Sequence, residues 1–95
     1  MYGELPGNYV DKKYAEKHGW KFYLGNLRKV FPDATIGGDV YYNNEHTLPE
    51  KPGRIWYEAD INYTGGFRNT HRLLYSNDGL VFVTYDHYQT FYEII

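Results

Sequence analysis

The chain has no cysteine, which excludes a disulfide framework, a thiol nucleophile and any reading of compartment from redox chemistry. Its single serine, Ser76, lies in the turn cluster Ser76-Asn77-Asp78-Gly79 and not in a nucleophile context, so serine hydrolysis is set aside. No apolar run approaches the roughly 20 residues of a membrane helix, and the opening MYGELPGNY lacks the basic and apolar regions of a signal peptide. A soluble, mature or excised single domain over residues 1–95 is expected, without membrane contact. Phosphate-loop and dinucleotide motifs are missing, Gly37-Gly38 being too weak a signal. The four histidines, His18, His46, His71 and His87, show no zinc-site spacing, so neither a metal nor a cofactor is expected.

A basic excess is also absent. Twelve acidic residues against ten basic ones leave a formal charge of -2, which argues against a broadly basic nucleic-acid surface. The distribution is uneven: residues 1–31 carry six Lys/Arg and three Asp/Glu, and residues 32–95 carry four and nine. Any anion site must therefore be local. What the chain has in quantity is aromatic side chains, with 12 Tyr and 2 Trp, suited to half-buried sheets and equally to base-stacking surfaces.

In chain order, Met1 to Val10 reads as an irregular lead-in. Asp11 caps a short helix from Lys12 to His18 that Gly19 stops, and Asn26 caps a second from Leu27 to Phe31 that Pro32 ends. Lys12 at the first helical position opposes the helix dipole, and the plain account is a solvated lysine. Strands are expected at Thr35 to Val40, Arg54 to Asn62, Thr70 to Ser76, Gly79 to Thr84 and Thr90 to Glu93, with a loop-rich connection from Val40 to Gly53. The expected class is α+β: short N-terminal helices, then a mainly antiparallel five-stranded sheet.

The chemistry centres on RIWYEADINYTGGFRNTHR, residues 54–72. Period-two alternation places Ile55, Tyr57, Ala59, Ile61 and Tyr63 on one side, as core, and Arg54, Trp56, Glu58, Asp60 and Asn62 on an ionic side. After Thr64-Gly65-Gly66 the chain returns with Arg68 and Arg72, which an antiparallel pairing brings beside Glu58 and Asp60. With His87 in Asp86-His87-Tyr88-Gln89 and Lys12, these residues form an acid-base pair with cationic support. RNA cleavage needs that set: a 2'-hydroxyl loses a proton, the leaving 5'-oxygen gains one, and charge develops on the phosphate between. A strand-face Glu between arginines is also a common salt-bridged surface residue.

YEADINYTGGFRNTHRLLYS and the later YDHYQTF, with IGGDVYYN, Gly19-Trp20, Gly25-Asn26-Leu27 and LPGNYV, resemble the guanyl-preferring microbial ribonucleases of the barnase and binase type along essentially the whole chain. The resemblance implies Glu58 as general base and His87 as general acid for transesterification of single-stranded RNA to a 2',3'-cyclic phosphate. Lys12, Arg68 and Arg72 would stabilise the transition state, with Asp60 and Asp39 as supporting carboxylates. For guanine it implies Glu45 as acceptor, backbone N–H groups near Asn43 and Asn44 as donors, and Tyr41 and Tyr88 as stacking rings. It further implies a secreted monomer, extracellular or the nuclease module of a toxin, and a barstar-like protein inhibitor.

Three departures carry expectations of their own. Asn44 stands where the family has an arginine, which weakens affinity for guanine and alters inhibitor recognition. The acidic balance implies a shallower salt dependence of RNA binding. Only four residues precede Leu5-Pro6, where the family has a further amphipathic helix, so reduced stability is expected. Two alternatives stand beside the enzyme: an RNA-, nucleotide- or inhibitor-binding domain of the same fold without turnover, and a tyrosine-rich structural domain.

Overall fold

The computed structural model describes residues 8–94; the Leu5-Pro6 segment and most of the lead-in lie outside them. Helix α1, Lys12–Lys17, starts at Asp11, whose Oδ1 accepts the Tyr14 N–H at 2.7 Å. A second carboxylate completes this end, Asp39 Oδ2 accepting the Lys12 N–H at 3.1 Å. The first turn has no acid of its own, so Asp11 and Asp39 supply the negative charge that the dipole favours beside Lys12. Helix α2, Leu27–Val30, follows a 3-10 turn at Phe22–Leu24. Asn26 does not cap α2 with its side chain, contrary to expectation. Its Oδ1 accepts the Lys21 N–H at 2.9 Å and its Nδ2 donates to Gly19 O at 3.1 Å, tying together the loop before the helix.

Among the described residues the sheet has six strands rather than five: β1 Tyr9–Val10, β2 Thr35–Tyr41, β3 Trp56–Asp60, β4 Arg72–Ser76, β5 Val81–Thr84 and β6 Tyr92–Glu93, in that spatial order. β1 pairs parallel with β2 and every other pair is antiparallel. The additional strand comes from the expected lead-in. Tyr9 explains why two residues suffice: its ring crosses Gly37, where a Cβ would approach within 2.5 Å of the ring, and its hydroxyl donates to Asp60 O at 2.7 Å. At Gly37–Asp39 the β2–β3 register shifts, with Gly38 at φ 97°, and beyond the bulge Asp39 pairs with Glu58.

The two faces of β3 are not divided into core and ionic as alternation suggested. Trp56, assigned to the ionic side, is 2% exposed, while Ile55, assigned to the core, is 42% exposed. Register explains this. Trp56, Glu58 and Asp60 share a face with Tyr41, Asp39, Arg72, Leu74 and Phe82, and that face is apolar at one end and ionic at the other. At the apolar end Leu48, Trp56 and Leu74 are buried with Tyr41, Phe82, Tyr88 and Phe91 around them, each fully buried large side chain contributing about 1.5–3 kcal/mol. The opposite face gathers Ala59, Tyr75 and Val81 under Tyr9, Tyr57 and Leu73, with Tyr57 and Tyr75 stacked at 5.4 Å. A third cluster, Ala15, Trp20, Leu27, Ala34, Ile36 and Tyr63, seats the helices against β2 and thereby sets Lys12 over β3.

Candidate active site

Glu58 lies mid-strand with its side chain 13% exposed, and Lys12 Nζ reaches to 3.8 Å of its Oε1. Two residues along, Asp60 is buried and holds both arginines. Arg68 donates in a fork, Nε to Oδ2 and Nη2 to Oδ1, each at 2.7 Å. Arg72 Nε sits 3.1 Å from Asp60 Oδ1 with its N–H off line, a charge contact without a formed hydrogen bond. Asn69 and His71 fix Arg72 from the other side, their carbonyls accepting from Nη1 at 2.6 and 2.8 Å. Burial works against the Arg68 cation, yet the hydrogen bond and charge of Asp60, with Glu58 beyond, hold its pKa above the ordinary value. One carboxylate against two guanidinium groups leaves a local surplus of positive charge around Asp60.

The loop after β2 forms the other wall. A groove of 480 Å3 is lined by Lys12, Glu58 and residues 40–45, so Tyr41, Asn43, Asn44 and Glu45 share one space with the carboxylate and the lysine. Asn44 and Glu45 are exposed at its rim. The Asn43 side chain is turned inward, at φ 41°, with Oδ1 accepting the Leu48 N–H at 3.1 Å and Nδ2 donating to Leu48 O at 3.0 Å and to Glu50. It therefore shapes the loop and leaves only backbone groups to face a ligand. Buried Leu48 anchors the same turn in the apolar cluster.

His87 and Tyr88 come from the β5–β6 connection. His87 is exposed, its ring lying edge-on to Tyr88 at 4.8 Å. Tyr88 stands between His87 and Glu58, donating its hydroxyl to Glu58 Oε1 at 2.8 Å. Burial first, then the charge and hydrogen bond of Glu58, push the Tyr88 phenol far above its ordinary range, with Arg72 and Arg68 acting the other way. Tyr41 and Tyr88 stack on each other, centroids 5.0 Å apart and planes 12° apart. Burial, Glu45 and Glu58 raise the Tyr41 phenol as well.

Lys12, Asp39, Glu58, Asp60, Arg68 and Arg72 thus form one cluster, with residues 41–45 and 87–88 along its rim. Sequence reasoning missed Asn69, Glu50 and the bond between Tyr88 and Glu58. An Asn three residues before Arg72 was the only signal for the first; the other two depend on loop conformations that no periodicity encodes.

The chain is also similar to known proteins. A ribonuclease family model matches residues 2–95. The chain is 53% identical over 93 residues to a ribonuclease of Heyndrickxia coagulans, covering 98% of this chain and 85% of that protein. Ribonucleases of Bacillus intermedius and Bacillus pumilus match at 53% over 93 residues, covering 98% of this chain but 57% of each relative, so the chain spans little more than half their length. With an α+β fold, a carboxylate–lysine–arginine cluster and a family match over nearly all its residues, the chain belongs to the ribonuclease family, in the microbial barnase and binase type.

Proposed function

We propose that the chain is an endoribonuclease that cleaves single-stranded RNA after guanosine, without a metal, through a 2',3'-cyclic phosphate. The observation that carries the reading is Glu58 beside Lys12 in the groove lined by residues 40–45, with Arg68 and Arg72 held by Asp60 on the same sheet face. In this reading Glu58 removes the 2'-hydroxyl proton, and the 2'-oxygen attacks phosphorus. The bond to the 5'-oxygen breaks, and His87 delivers a proton to that oxygen. Lys12, Arg68 and Arg72 meet the charge on the non-bridging oxygens. The roles of Glu58 and His87 reverse when water opens the cyclic product. Asp60 and Asp39 position the arginines and the start of α1.

Guanine is read by the Glu45 carboxylate, by backbone N–H groups at Asn43 and Asn44, and by stacking on Tyr41 and Tyr88. Secretion as a monomer, or excision as a nuclease module, and control by a small acidic barstar-like inhibitor belong to the same reading.

The test is digestion of single-stranded RNA containing all four bases in excess EDTA, with the products resolved. Cyclic phosphates ending in guanosine are expected; loss of cleavage on chelation, or cuts without base preference, would contradict the reading. The net charge of -2 favours one alternative, a domain that binds RNA without turnover, and guanosine binding by a protein that never cleaves would select it.

A further inference from the structure

Tyr88 does two things at once. Its ring lies 5.0 Å from that of Tyr41, whereas a base sandwiched between two rings needs roughly 7 Å, twice the spacing of stacked bases, so the space between them is shut. Its hydroxyl also occupies Glu58 Oε1, the same oxygen that faces Lys12. The backbone beneath is held firmly. His87 and Tyr88 sit at φ 56° and 75°, a region costly for residues other than glycine, and surrounding bonds keep them there. The Tyr88 N–H donates to Thr84 Oγ1 at 3.1 Å and the His87 N–H to Thr70 O at 3.1 Å. Asp86 Oδ1 accepts from Thr84 Oγ1 and from the Gln89 and Thr90 N–H groups at 2.9 to 3.1 Å. With the backbone fixed from several sides, the movable part is the ring, turning about its side-chain bonds.

We propose that Tyr88 is a substrate-displaced latch that couples base recognition to the release of Glu58. A guanine entering against Tyr41 takes the place of the Tyr88 ring, which turns onto the outer face of the base, and the phenol hydroxyl leaves Glu58 Oε1. The carboxylate is then free to accept a proton only when a base is seated, so a poorly seated base is penalised in turnover as well as in binding. The inference rests on the reading of Glu58 as general base. Tyr88 acts here as a positioning residue for Glu58.

Two measurements test it. In the free protein, with tyrosine rings labelled for NMR, contacts between the Tyr41 and Tyr88 ring protons are expected; saturating guanosine abolishes them and brings the guanine H8 proton near both rings. Tyr41–Tyr88 contacts that persist at the highest guanosine concentration overturn the latch. In Tyr88→Phe the rings still stack but the hydroxyl restraint is gone. Guanosine then binds roughly three- to tenfold more tightly, the equivalent of one net hydrogen bond, and kcat/KM for a guanosine-containing dinucleotide rises through KM. A fall in kcat at unchanged KM overturns the proposal, because the hydroxyl would then act in the bound state. Cleavage that survives Glu58→Ala defeats the underlying reading by itself, whatever the rings do.

Discussion

The molecule contains two forked arginine–aspartate pairs of nearly the same geometry in opposite settings. At the far end of the sheet Arg54 grips Asp78 through Nε and Nη2 at 2.9 to 3.1 Å, and the carboxylate is open to water. At the site Arg68 grips Asp60 at 2.7 Å, but Asp60 is buried and a second arginine shares it. The first pair is neutral, one cation on one carboxylate, with the Ser76 hydroxyl also donating to Asp78. In the second, one carboxylate balances two cations, so it organises positive charge without cancelling it. Similar chemistry therefore pins a hairpin in one place and gathers two cations on one carboxylate in the other, and the difference lies in burial and in the count of partners.

The largest effect comes from removing the shared partner. Asp60→Ala strands buried Arg72 and loosens Arg68, and is expected to lower the unfolding free energy by about 3–5 kcal/mol in denaturant titration. A loss no greater than that of Asp78→Ala would erase the contrast. Next, Arg68→Ala leaves Asp60 paired with Arg72, so the fold holds while kcat/KM on RNA drops by about 10²–10³; Arg54→Ala leaves cleavage near the wild-type rate. Asn43 provides a buried polar clamp without charge: Asn43→Ala should cost about 1–3 kcal/mol and weaken base preference more than it slows cleavage.

The smallest effect is a pH limb. Hydrogen bonds from Arg54 and Ser76 lower Asp78 from 3.8 to about 2. Its contribution to stability is therefore complete only above about pH 5, well clear of the unfolded value of 3.8, and is lost as the pH falls through about 2. Thermal midpoints of Asp78→Asn should show a shallower decline than wild type across that window.

Much of this was readable from residue order. The antiparallel return that sets Arg72 opposite Asp60 followed from the Gly65-Gly66 turn and the alternation around Glu58, and the Asp11 cap followed from residue type. Alternation states which residues share a face, not what covers it, and so Trp56 and Glu58 were grouped correctly while the burial of Trp56 was missed. β1 was illegible because two residues carry no period; the strand depends on Tyr9 crossing Gly37, a contact 28 residues apart in sequence. The Tyr88–Glu58 bond spans 30 residues and a loop with two left-handed residues, which no local pattern specifies.

The most direct measurement of the central claim is the rate of RNA cleavage by Glu58→Gln in EDTA, with folding verified by its unfolding midpoint. The amide keeps the size of the side chain and loses the basic oxygen. A rate about 10²–10⁴ below wild type, with guanosine still bound, is the predicted result; cleavage at the wild-type rate by the folded variant would contradict the account.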